Sequence, residues 1–565
     1  MSIKKAFLLL LAVLTLPLSS CNSYTVVDAL ANGEEISSVI VAPSKPSNID
    51  GCGVSFNYET IRISTVENEK YLFLPSAFVG GALALCDGAE IIVGDKKSEH
   101  GDVVTFSNIS DGFTLNFGGD VFHVKVMRSA NIPSLFLNSS DGDFEKINNS
   151  YRHEYKTDGD ISLYDSMGER LYSAKIKEIK GRGNSTWGTA EKKPYQVELS
   201  EKKSLLGLAE SEKYILLANY FDPSLLRNST AFDIAALASD DYSPSYRAVD
   251  LYCQGRYNGT YLLCEKIDIE ESKIDIENLE QSTKLLYPDY KLRDFPQMGE
   301  RKPLADSMKW YDIPENPSDI TGGYLLEVDY PERYEEESSG FLSARGMSVV
   351  LKSPQYASYE QVKYIKDFIG EFEDALYSPD GVGENGRHYT EYIDIESLAF
   401  RYLMEEFTLN IDGGIASFHF YKDSEEKGGK LYFSCVWDYD CTFGNSKKYA
   451  DLTSPETLFV AENERRNSGS MPNWFYQAMQ HEDFQNMVKK VYDEKFSSAI
   501  KTVLDELPYM KNEISASASM DYALYPNSEN RLLFCEDSGK TFDEAYDYFY
   551  NFYSKRVSFF DKTFG

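Results

Sequence analysis

Two loops carry the carboxylates with which this chain could do chemistry. In TLNIDGGIASFHFYK, Asp412 follows a long helical segment, two glycines after it permit a tight turn, and Ser417 opens the next strand. A loop Asp of this kind serves as a general base or caps the turn through its side chain, and the local sequence leaves both readings open. Asn410 and Ser417 are oxygen groups within reach for ligation or positioning. In FSCVWDYDCTFGNS an apolar strand runs into Asp438 and Asp440, which share a face, and Gly444 and Asn445 follow. Two close carboxylates repel unless a proton or cation neutralises them. Hard oxygen donors favour Mg²⁺ or Mn²⁺ with phosphates completing the shell; a calcium or purely structural loop is the alternative.

A third stretch, KGRGNSTWGTAEKKPYQVEL, joins an anion-friendly loop to a strand. Arg182, Gly183, Asn184 and Ser185 offer backbone N–H groups, a hydroxyl and a cation suited to wrapping an anion. Counting back along the strand puts Lys193 on the face of Tyr195, Val197 and Leu199, and Lys192 with Gln196 and Glu198. Lys193 is therefore expected inside, where it must meet an anion or shift its pKa, and Lys192 outside. A loop followed by an inward lysine suits nucleotide phosphate, and a turn plus a buried Lys–Glu pair reads equally well. The glycine spacing is neither a Walker A motif nor GxGxxG.

In chain order the pattern is anion loop, inward Lys, helix, hairpin, strand, Asp loop, Asp-bearing metal loop. Protein kinases place a Gly-rich loop, a strand Lys, a catalytic Asp five residues before a metal ligand, and a metal-binding Asp in that order. Asp412 to Ser417 has the five-residue spacing, with Ser where kinases usually carry Asn.

The elements that must position these residues are legible in outline. At 565 residues with 42% hydrophobic composition and only 20 prolines, the chain is long enough for several domains and has no extended disordered composition. A net charge of −33 without a basic stripe excludes a nucleic-acid partner. MSIKKAFLLLLAVLTLPLSSC reads as a secretory signal over residues 1–21, and Leu18-Ser19-Ser20-Cys21 resembles a bacterial lipobox. Cys21 is thus expected to carry lipid and to tether the chain outside the cell membrane, with residues 22–49 as the tether. Short alternating runs over 50–130 predict a small β domain, a spacer or accessory module. Mixed strands and helices then lead to helices from residue 473 onward, an α+β order. Residues 275–320 are polar and aperiodic, as expected of an inserted surface loop. In LYCQGRYNGTYLLCE, a turn at Asn258-Gly259 would pair Cys253 with Cys264, as a disulfide or as opposed thiols.

The segments IKGRGNSTW, KKPYQVEL, SLLG, LLANYFDPSLLRN, LYCQGRYNGTYLLCEKI, GGYLLEVD, LNIDG and VWDYDCTFGN resemble the spore coat protein H (CotH) kinase-like family, in the family's order over residues 131–565. The resemblance implies an atypical protein kinase-like two-lobe fold and transfer of phosphate from ATP, with Mg²⁺ or Mn²⁺, to Ser or Thr of surface or secreted proteins. It implies that Lys193 meets ATP phosphate with the Arg182–Ser185 loop, that Asp412 is catalytic, and that Asp438 or Asp440, with Ser417, holds the metal. Glu265 falls near the place of a kinase hinge, and Arg227 and Asn228 belong to the family's LRN element, read as structural support. The alternative is a cell-surface binding protein that keeps the fold without transfer, to which the lipid anchor, the extra β domain and Ser417 point. A metal-dependent sugar hydrolase is disfavoured because no acid–base carboxylate pair stands out.

Overall fold

The computed structural model describes residues 41–461 and 473–565. The signal segment, Cys21 and residues 22–40 of the expected tether lie outside the described residues. The chain divides into two compact units, the first running to Thr65 and including Glu69–Leu72 and Phe78–Val126. Its residues supply short strands such as Gly53–Phe56, Gly80–Ala84, Ala89–Val93 and Phe113–Phe117. Val54, Ile61, Leu83, Ile91 and Leu115 are buried in its core.

The second unit holds Met127–Gly565 together with two short upstream pieces. It begins with a closed barrel of seven strands, Ser134–Ser139, Lys156–Tyr164, Arg170–Gly181, Tyr195–Lys203, Ser211–Leu217, Arg256–Glu265 and Tyr246–Cys253, in that order around the wall. Closure is parallel, Ser134 lying opposite Asp250 and Leu137 opposite Cys253. Alternate residues fill the interior, among them Leu135, Leu137, Ile161, Leu163, Val197, Leu199, Val249, Leu251 and Leu263.

Two expectations fail here. The hairpin turns at Gln254-Gly255, both with positive φ, and not at Asn258-Gly259. Cys253 therefore pairs with Arg256 and Cys264 with Tyr246, and both thiols are free and buried. A bulge between Leu251 and Tyr252 absorbs the difference, and Gly259 sits inside the second strand with φ +111°. A Cβ there would stand 2.5 Å from the Asp521 carboxylate, so glycine is required by close approach.

Downstream, a seven-stranded sheet runs Gln297–Gly299, Met308–Tyr311, Gly340–Leu342, Ser348–Ser353, Tyr324–Val328, Phe418–Lys422, Leu431–Tyr432. Its first two strands come from 275–320, so that stretch is not merely a surface loop: the helix Leu279–Leu285 and a sheet-edge hairpin are built from it. The helix Tyr359–Leu376 starts with a Ser358–Gln361 capping box and buries Val362, Ile365, Ile369, Phe372 and Leu376 at helical spacing. The helix Ile395–Thr408 is capped by Asp394 and is buried almost all round. The long C-terminal helices Ser497–Leu524 and Phe542–Thr563 complete the core. No helix among the described residues is long and apolar enough to cross a membrane.

Candidate active site

The helix Ile395–Thr408 ends in a left-handed residue, Leu409 with φ 50°, and releases the chain into the Asp412 loop. Asn410 donates to Glu405 Oε2 at 2.7 Å, and the Asp412 N–H donates to Asn410 Oδ1 at 3.0 Å. Glu405 also accepts from Arg401 Nε at 2.5 Å and from the Tyr439 hydroxyl at 2.8 Å. One buried carboxylate thus ties the helix, the Asp412 loop and the Asp438 loop together. The Asp412 carboxylate itself accepts the Tyr330 hydroxyl at 2.5 Å. Burial pushes its pKa up to about 6, with the Asp438 charge adding to the rise and the Tyr330 hydrogen bond opposing it.

The second loop is held by the residues of the LRN element. The Tyr439 N–H donates to Asn228 Oδ1 at 2.7 Å, and Arg227 Nε donates to the Thr442 carbonyl at 2.9 Å. Asn445 bridges the Phe221 and Asp440 carbonyls, at 2.7 Å each. Arg227 is fully buried against Asp222, so the start of the helix Arg227–Ala238 is locked to this loop. Asp438 has φ 70° and Ser417 φ 49°, left-handed conformations that cost about 1–3 kcal/mol and persist where the surroundings impose them. The Ser417 hydroxyl donates to Asp438 Oδ2 at 3.2 Å. Asp440 is pushed up to about 8, by burial first and then by the charges of Asp438 and Asp222.

Cations gather on the other side. The Arg182 guanidinium lies 5.2 Å over the Trp437 ring, and Asp438 and Glu327 are the carboxylates whose charges favour it. Glu327 lies opposite His419 across the strand register and pairs with Lys352 at 3.0 Å. Lys352 also reaches Glu337 at 3.2 Å, and His419 Nδ1 donates to the Ser417 carbonyl at 3.2 Å. Glu327, Lys352, His419 and Tyr330 were missed in the sequence. The available signal was GGYLLEVDY, where a carboxylate interrupts an otherwise apolar central strand.

The structure therefore brings Arg182, Asp412, Ser417, Asp438 and Asp440 into one electrostatic cluster. Lys193 does not follow the expected alternation. The strand starts at Tyr195, beyond Pro194, and the register of Tyr195, Val197 and Leu199 cannot be extended back through the proline. Lys192 is the buried lysine, with no exposed side-chain area. Its ammonium donates to Asp521 at 2.5 Å and to the Thr260 carbonyl, and lies 4.7 Å over the Tyr261 ring. Burial, helped by the nearby Arg531, draws its pKa down to about 8 against the pull of Asp521. Lys193 is half-buried, donates to the Trp187 carbonyl at 2.6 Å, and has no carboxylate at ion-pair distance among the described residues. Gly183 has φ +83° and leads into the short helix Ser185–Thr189, at whose start Asn184 and Ser185 are exposed. Glu265 is buried, accepts the Ser245 N–H at 3.3 Å, and has its other oxygen without a hydrogen bond.

Among the described residues no group of three or more His, Cys, Asp or Glu side chains is placed to hold a metal ion. What the loops offer is two carboxylates and the Ser417 hydroxyl, hard donors that suit Mg²⁺ or Mn²⁺ taking its remaining ligands from phosphate and water. The arrangement can accept a proton at Asp412, and Arg182 can meet an anion beside it. Residues 179–560, most of the chain, match the family described as CotH kinase protein. No curated protein matches the chain.

Proposed function

The chain belongs to the CotH kinase family, and from that membership we propose that it transfers phosphate from ATP to Ser or Thr hydroxyls of surface or secreted proteins. The barrel and the sheet-and-helix part would act as the two lobes of an atypical kinase-like fold. Asp412 accepts the proton of the acceptor hydroxyl. Asp438 and Asp440, with Ser417, hold Mg²⁺ or Mn²⁺, which when bound neutralises phosphate charge. Arg182 steadies the phosphates from the barrel side, with the Gly183–Ser185 turn and Lys193 at its edge and Glu265 toward the nucleotide's far end. The observation that carries the reading is the mounting of Asp412 beside Asp438 through the shared Glu405 anchor. Such preorganisation is what phosphoryl transfer asks of a protein. Cys21, in this proposal, carries lipid and holds the chain at the outer face of the membrane; mass spectrometry of the mature N-terminus tests that part.

Incorporation of γ-labelled phosphate into a Ser-rich acceptor, with Mn²⁺ and Mg²⁺, tests the activity. Asp412→Asn is expected to keep ATP binding and to lower transfer on the order of 100- to 10,000-fold. Asp438→Asn or Asp440→Asn is expected to abolish the metal-dependent thermal stabilisation by ATP. A wild-type chain that binds ATP and transfers nothing would instead be a binding protein on the same fold.

A further inference from the structure

We infer that Tyr330 is itself an acceptor of this site, phosphorylated within its own chain before any protein substrate. The inference rests on the phosphotransferase reading above. In that reading the acceptor is the hydroxyl that donates its hydrogen to the catalytic carboxylate. Tyr330 Oη does this already, at 2.5 Å from Asp412 Oδ1. The rest of the residue is held in place. Its N–H donates to Asp329 Oδ1 at 2.8 Å, Pro331 follows it into the short helix Pro331–Tyr334, and the strand before it is fixed by the Glu327–Lys352 pair. The side chain is only partly buried.

The step balances without a further reactant. The Tyr330 proton passes to Asp412, and the phenolic oxygen bonds to the γ-phosphorus of ATP. The bond from that phosphorus to the β–γ bridging oxygen breaks, and ADP leaves with the electron pair. The product adds a charge of about −1.5 to −2 beside Asp412 and Asp438. Once Asp412 has released the proton to water, that charge is repelled by both carboxylates, so the modified ring leaves the acceptor position and frees it for a protein hydroxyl. Unmodified Tyr330 competes with that hydroxyl.

The test uses the full chain with ATP and Mn²⁺ and no added acceptor, followed by mass spectrometry of the peptide bearing Tyr330. One phosphate is expected on Tyr330, at a first-order rate independent of protein concentration, and absent from Asp412→Asn. Tyr330→Phe, which keeps the ring, should lose this phosphate and show a lower KM for a Ser-rich peptide. A wild-type chain that phosphorylates the peptide but never Tyr330 overturns the inference and leaves the kinase reading standing. A chain that transfers phosphate to no acceptor overturns both. A raised KM in Tyr330→Phe together with no phosphate on wild-type Tyr330 would mean that the hydroxyl only positions Asp412, which also overturns it.

Discussion

Lys192→Ala would leave Asp521 buried with Arg531 as its remaining cation, and would open a gap beneath Tyr261. Breaking a buried pair of this kind costs on the order of 3–5 kcal/mol, so chemical denaturation should show a large loss of stability. Lys193→Ala removes a half-buried ammonium whose neighbour is the Trp187 carbonyl, and should cost less than about 1 kcal/mol. ATP affinity then tests the phosphate lysine. If Lys193 serves, Lys193→Ala weakens ATP binding well beyond its small effect on stability; ATP titration of the variant decides. Asp412, Asp438 and Asp440 were legible because each sits in a loop whose spacing is local. Glu327 and Lys352 were not, because pairing of Tyr324–Val328 with Ser348–Ser353 and Phe418–Lys422 places them, and Tyr330 follows that strand at the start of Pro331–Tyr334. The inward lysine was misread because strand alternation was carried through Pro194, where no strand exists.

Helix Tyr359–Leu376 carries a carboxylate into the core. Glu373 is 1% exposed, accepts Trp474 Nε1 and the Ser343 hydroxyl at 3.0 Å each through one oxygen, and leaves the other without a partner. Burial pushes it up to about 7 from an ordinary 4.5. The folded chain therefore holds a proton that the unfolded chain has released between these values, and stability falls as pH rises from about 4.5 to about 7. Glu373→Gln cannot ionise, so its melting temperature should gain on the wild type steadily over that range. At the start of Arg227–Ala238, Asn228→Ala would free the Tyr439 N–H and one end of Asn219, a loss of about 1–3 kcal/mol. Metal-dependent ATP stabilisation should weaken with it, because the Asp438–Asp440 backbone loses an anchor. Helices were readable from apolar spacing and caps. The barrel was not, since its closure joins Ser134 to Asp250 across four intervening strands and the helices between them, and nothing periodic marks that seam. At the hairpin, Asn-Gly outranked Gln-Gly as a turn signal, and the bulge that reverses the choice is invisible locally.

At the scale of the whole chain, the β-rich beginning and helical end could be read from the alternating and helical apolar patterns, whereas the dependence of the candidate site on the last helix could not. Arg556 in Phe542–Thr563 donates to the carbonyls of Glu406, Phe407, Pro455 and Thr457, the first two being the end of the helix that leads to Asp412. Ending the chain at Leu524 removes this residue and Arg531 together. The truncated protein is expected to lose cooperative thermal unfolding, read by calorimetry, and not merely activity. The Lys192–Asp521 pair has a consequence in time as well. During synthesis the barrel segment is exposed long before its partner exists, because the two residues are 329 positions apart. At typical elongation rates of about 5–20 residues per second, that gap lasts roughly 15–65 s. Until Asp521 emerges, the Lys192 ammonium has the Thr260 carbonyl but not its carboxylate, so the barrel is made without the charge partner that the finished molecule supplies from near its end.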